Sequence, residues 1–219
     1  CLGFDIMNNF NAPYMASNPS DFWQRWHISL STWLKDYLYI PLGGNRHGQW
    51  NTLRNLMLTM VIGGLWHGAA WTFIIWGFYH GALLVVYRMA APWGKNFLGR
   101  HDVLRSFVNF GKIILFFHVV CLGWLIFRAQ SLEQLGQLMQ TLCFGPFALA
   151  GALTRDIVQK LAFFAGPALV VQMAQYFRGD ILVMYKLPWF FRGIWYYALI
   201  MLSLIYGVTD ANDFIYFQF

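Results

Sequence analysis

The 219-residue chain is 58% hydrophobic, 20% aromatic and only 11% charged, with a formal charge of +6. Soluble domains carry roughly a quarter of their residues as charged side chains, so the composition excludes an ordinary water-soluble globule and points to the bilayer. The 15 Lys and Arg residues sit at the edges of apolar runs, as membrane anchors do, and not in the single patch that a nucleic-acid surface needs.

The opening stretch, CLGFDIMNNFNAPYMASNP, is mixed in polarity and shows no sustained period, so it reads as a surface connection. Asn18 can cap a helix, Pro19 suits its first position, and Asp21 meets the positive end of its dipole. The pattern predicts one amphipathic helix over 18–40, with Phe22, Trp26, Leu30, Trp33, Leu34, Tyr37 and Leu38 on one stripe. Pro41, Gly43 and Gly44 stop it, and its embedded charges suit an interfacial position better than a lone span.

After a turn-rich loop, PLGGNRHGQWNTLRN, the 33 residues between Arg54 and Arg88 carry no charge. A continuous helix of that length would reach about 50 Å, against about 30 Å of hydrocarbon core. A break is therefore predicted at Gly63, Gly64 and Gly68, beside His67, with a partial crossing before it and a full one after. Backbone can break at membrane depth only where protein or a wet cavity supplies hydrogen bonds.

Three further uncharged runs, 113–127, 161–177 and 193–209, read as spans whose flanking cations snorkel to the interface. Glu133 to Arg155 is semi-apolar and fits a re-entrant or interfacial piece. The tail NDFIYFQF is aromatic enough to pack at the interface. Cys1, Cys121 and Cys143 show no metal-ligand spacing, and no disulfide framework follows. The fold class is all-α: a polytopic integral membrane protein with an interfacial helix and four to five spanning or re-entrant segments, read as one membrane domain over 1–219.

The six histidines divide by setting. His47 and His101 lie in polar loops, and His118 stands alone in a span as a structural residue. His67 follows Trp66 between glycines that permit close approach, inside a run where an ionisable group is a functional candidate. His80 shares that run, but 13 residues place it nearly opposite on a continuous helix, which suits packing or support of the site. His27 follows Arg25 and Trp26 on the amphipathic helix and matters only if that helix folds against the break.

No GxSxG elbow, HExxH, paired-carboxylate cluster or phosphate loop occurs, and no metal site is expected. A lone buried imidazole has a lowered pKa, stays neutral and can take a proton from a hydroxyl attacking an activated acyl carbonyl. Acyl transfer from a thioester needs no protein nucleophile.

Two segments, DFWQRWHISLSTWLKDYLYIPLGGNR and NLMLTMVIGGLWHGAAWTFIIWGFYHG, followed by the terminal FIYFQF, resemble the membrane-bound O-acyltransferase family. The likeness is greatest to its bacterial branch of alginate O-acetylation, related to the D-alanyl transfer protein of teichoic acid. The resemblance implies that the chain is the C-terminal part of a longer multi-pass protein of the bacterial inner membrane. It implies His67 and His27 as catalytic, with Trp66, Trp26, Arg25 and Asn45 lining the channel or supporting the site. The implied donor is a cytoplasmic acyl thioester such as acetyl-CoA, with no bound cofactor. The implied partners are membrane lipid, a periplasmic polysaccharide-modification protein and, indirectly, an exopolysaccharide acceptor. A non-enzymatic transport or scaffold subunit, with the histidines lining a conduit, is the alternative.

Overall fold

The computed structural model describes residues 7–94, 102–145 and 151–207. His101 and the closing aromatic tail lie outside the described residues. The chain divides into two compact units, Cys1–Phe147 and Ala148–Phe219.

In the first unit, α1 (Pro19–Arg25) begins where the Asn18 side chain accepts the Asp21 amide at 2.9 Å. Arg25 reaches back one turn to Asp21 at 2.6 Å. The single helix predicted over 18–40 does not continue. Trp26 is extended, His27 adopts a left-handed backbone at φ 44°, and α2 (Ile28–Leu34) starts afresh before a wide helical turn at Lys35–Tyr39. The opening stretch causes the break by folding back onto it. The Asn11 amide donates to the Arg25 carbonyl at 2.9 Å, and the Asn9 carbonyl accepts from the Ile28 amide at 2.9 Å. Asn9 Oδ1 accepts from the Ser29 amide at 3.0 Å and from the Ser29 hydroxyl at 2.9 Å. These bonds replace those that an unbroken helix makes internally.

The loop over 41–47 is fastened from below by Asn55, which is fully buried. Its amide donates to the carbonyls of Leu42 and Gly44, both at 3.0 Å, and its oxygen accepts from Arg54. Helix α3 (Gly48–Leu65) follows, and α4 (Trp71–Gly94) returns antiparallel to it. Glycines set how closely these two helices pack. A Cβ on Gly64 would strike the Phe73 carbonyl, and one on Gly77 would meet Val61 Cα at 2.9 Å and the Met60 carbonyl. Farther along, one on Gly81 would meet Met57 Sδ at 2.7 Å. Backbone thus lies on backbone at Gly64 and Gly77, the small-residue packing that replaces hydrophobic drive inside a membrane.

Helix α5 (Asp102–Arg128) packs on α4. The Tyr79 hydroxyl donates to the Val119 carbonyl at 2.8 Å, and Gly123 leaves room for the His80 ring, whose Nε2 would be 2.8 Å from a Cβ there. Two buried clusters join these parts: Ala16, Phe22, Phe116 and Val120, then Trp76, Ile126, Ala129 and Leu135. Leu135 comes from α6 (Leu132–Phe144), which Ser131 caps by accepting the Gln134 amide at 3.1 Å.

The second unit is a helical hairpin, α7 (Gly151–Arg178) and α8 (Trp189–Tyr206). Gly179 turns the chain at φ 61°, Lys186 pairs with Asp180 at 2.6 Å, and Phe163 and Phe164 meet Tyr206 at 5.5 and 5.4 Å between ring centres. Among the described residues, four segments are long and apolar enough to cross a membrane: Trp71–Ala91, Ser106–Arg128, Arg155–Arg178 and Trp189–Tyr206. Large apolar side chains such as Phe107, Leu115 and Phe177 stand exposed on them, as a lipid solvent allows. The protein is a multi-pass helical membrane protein.

Candidate active site

The chain turns between α3 and α4 at residues 66–70. Trp66 still bonds to the Ile62 carbonyl at 3.0 Å, and the His67 amide closes on Gly64 at 3.0 Å. Gly68 then takes φ 149°, with Phe73 packed where a side chain would lie. His67 is therefore set on a tight corner outside the four spanning segments, and its position follows from how closely α3 and α4 approach.

Aromatic edges enclose the His67 ring. Trp66, Phe127 and Trp76 stand at centroid distances of 5.0, 5.1 and 5.3 Å, all near perpendicular, and Phe73 lies at 6.2 Å. Such pairs contribute about 0.5–1.5 kcal/mol each beyond buried area, which holds the ring in one orientation. Among the described residues, neither ring nitrogen of His67 has a hydrogen-bond partner. Burial, and then the neighbouring His27, push its pKa down to about 4, so the ring is neutral at pH 7 with a lone pair free to accept a proton.

His27 arrives from the other side. It caps α2: its Nδ1 accepts from the Leu30 amide at 3.4 Å and lies 3.4 Å from the Ser29 hydroxyl. A backbone amide can only donate, so Nδ1 accepts and the neutral ring carries its proton on Nε2. Trp66 stands between the histidines, 6.3 Å from His27 and 5.0 Å from His67. Both residues are half-buried.

The other residues named from the sequence take different places. Trp26 packs against Phe10, Phe22 and Trp124 and so anchors the segment that carries His27. Arg25 is occupied by Asp21 and by the Asn11 carbonyl at 3.4 Å. Asn45 is exposed in the loop before α3, separated from His67 by that helix of 18 residues, about 27 Å long. His80 is 1% exposed and stacks on Phe22 at 6.0 Å, with Trp23 and Trp76 edge-on at 5.3 and 4.9 Å. Trp76 thus separates His80 from His67. His118 Nδ1 donates to the Ile114 carbonyl of its own helix, 2.8 Å away.

Three contributors are not apparent in the sequence. Asn9, Trp76 and Phe127 hold the two histidines in place, yet an early asparagine and two aromatics in apolar runs read as loop and core.

The arrangement pairs an unencumbered neutral imidazole with a second that presents an N–H donor. Known proteins carry the same segments. The membrane-bound O-acyltransferase family model matches residues 1–126. The chain is 50% identical over 132 residues to the probable alginate O-acetylase AlgI of Azotobacter vinelandii, covering 60% of this chain and 25% of that protein. It is 49% identical over 125 residues to the peptidoglycan O-acetyltransferase of Helicobacter pylori, covering 57% and 23%. It is 34% identical over 141 residues to the teichoic acid D-alanyltransferase of Bacillus subtilis, covering 59% and 34%. The matched region is thus about a quarter to a third of each relative's length. Both histidines fall within the matched residues, and the chain belongs to the membrane-bound O-acyltransferase family.

Proposed function

We propose that this chain carries the transfer site of an O-acyltransferase that moves an acetyl group from a thioester onto a hydroxyl of an envelope or secreted polysaccharide. The observation that supports this most is the meeting of His27 and His67 around Trp66, from segments 40 residues apart in sequence (67 − 27). His67 takes the proton of the acceptor hydroxyl as its oxygen attacks the thioester carbonyl carbon. The C–O bond forms, the C–S bond breaks, and the departing sulfur recovers the proton from the imidazolium. His27 Nε2–H donates to the carbonyl oxygen as negative charge develops there, the arrangement that stabilises acyl-transfer transition states.

The names of the relatives favour alginate, another exopolysaccharide or peptidoglycan as acceptor, and acetyl-CoA as the simplest donor. A site that a thioester reaches from the cytoplasm fits the bacterial inner membrane, with a periplasmic protein completing delivery. The test is His67→Gln in the full-length protein in its own cells, with ester-linked acetate on the polymer measured against protein level. General-base catalysis contributes about 10²–10⁴-fold, so acetate should fall below detection while the protein still accumulates in the membrane. Unchanged acetylation at normal protein level would defeat the enzyme reading and favour a transport or scaffold subunit.

A further inference from the structure

Away from the two histidines, a groove of about 500 Å³ runs between α1–α2 and α3–α4. Lys35 and Arg88 line it, with the hydroxyls of Ser31 and Thr59 along the wall and Leu56 and Leu84 among the apolar lining. No carboxylate is among its lining residues. Lys35 has Asp36 at 3.5 Å, a solvent-exposed pair of the kind that contributes little. Arg88 forms no ion pair among the described residues.

The depth of this groove follows from the helix pairing. Gly64 faces Phe73, Gly77 faces Met60 and Gly81 faces Met57, so the start of α3 lies beside the end of α4. Arg88 stands in the last turn of the first spanning segment, Trp71–Ala91. Trp50, in the first turn of α3, is 82% exposed, and Tyr37, in the turn that contains Lys35, is 70% exposed. Exposed Trp and Tyr beside Lys and Arg mark the headgroup level of a bilayer. The groove therefore combines two cations at headgroup depth with apolar walls in a membrane protein.

We propose that this groove is a binding site for an anionic phospholipid, its phosphate held by Lys35 and Arg88 and an acyl chain lying along Leu56 and Leu84. Charge complementarity selects the occupant: two cations without a lining carboxylate favour a lipid with net negative charge over a zwitterion, and the apolar lining favours an amphiphile over a free anion. The proposal is independent of the transfer chemistry.

The test uses the full chain in lipid nanodiscs made from equal parts phosphatidylglycerol and phosphatidylcholine, with lipids retained after delipidation counted by mass spectrometry. Phosphatidylglycerol should be retained severalfold over phosphatidylcholine, and the preference should weaken by roughly fivefold for each cation removed in Lys35→Gln and Arg88→Gln. Lys35→Arg with Arg88→Lys should keep it, and so should Arg46→Gln, which removes an exposed cation outside the groove. Equal retention of the two lipids by the parent protein would overturn the proposal. So would a preference that survives the double Gln variant, one lost equally in Arg46→Gln, or one displaced by millimolar inorganic phosphate, the last showing a simple anion site. If the Gln variants fail to assemble, the parent's lipid preference and its resistance to phosphate decide the matter alone.

Discussion

Replacing Gly77 by Ala adds one methyl group where α4 crosses α3, and its cost can be worked from the geometry. The new Cβ would sit 2.9 Å from Val61 Cα and 3.1 Å from the Met60 carbonyl carbon, besides striking the Met60 oxygen. Carbon atoms settle at about 3.5–4.0 Å, so the helices must part by roughly 0.5–1 Å. Every obstructing atom is backbone, and no rotamer change relieves the clash. Overpacking of this kind costs about 1–3 kcal/mol. Gly111 in α5 and Gly136 in α6 have nothing within 4 Å of an added Cβ, so Ala there should be neutral or stabilise by up to about 1 kcal/mol through helix propensity. Reversible unfolding in mixed micelles, followed by tryptophan fluorescence, measures all three. If Gly77→Ala matched Gly111→Ala, the close backbone contact between α3 and α4 would be refuted. The same displacement moves the corner that carries His67, and errors near 1 Å in a reacting group lower rates by about 10²-fold. Acetyl transfer should therefore fall further than stability alone explains.

Acetylation should hold level as pH falls through 6.5 and decline only toward about 4, because His67 is protonated there and can no longer accept a proton. His27→Asn removes the second cause of that depression and should move the titration of the His67 ring, followed by NMR, upward, though still below 6.5 because burial remains the larger cause; a parent limb near 6.5 would refute the assignment. Left-handed backbone at His27 is tolerated by Asn and disfavoured in β-branched residues, so His27→Asn should keep the fold and lose activity, whereas His27→Val should also lose stability by about 1 kcal/mol or more, as read by unfolding. Asn55→Ala strands the carbonyls of Leu42 and Gly44 at a cost of about 1–3 kcal/mol. Protease cleavage within 41–47 should accelerate in that variant, and an unchanged cleavage rate would refute the fastening role.

Long-range physics made the membrane character legible. One uncharged run longer than the hydrocarbon thickness, with three shorter ones that flanking cations extend, has few alternatives in any fold, and the start of α1 follows from the local chemistry of Asn18, Pro19 and Asp21. The interruption at His27 was not legible because its cause is 20 residues away in sequence (29 − 9): Asn9 supplies to α2 the acceptors that helix continuity would have supplied. Apolar periodicity continues through the break, so the pattern alone reads as one helix. Within the site, the motif residues His27, Trp66 and His67 come together. Asn45 lies at the far end of α3, since adjacency in a motif does not survive an intervening helix. Trp76 and Phe127 were hidden for the opposite reason, because an aromatic residue in an apolar run carries no mark of which neighbour its ring will face.

The two sides of the site differ in stiffness. His67 rides on a corner where main chain touches main chain, without intervening side chains that could rearrange to let it move. His27 sits where the helix breaks, held by polar bonds to Asn9 and by the side-chain packing of its neighbour Trp26. For the transfer proposed above, adjustment to a bulky acceptor hydroxyl would therefore fall to the His27 side, against a fixed counterpart at His67.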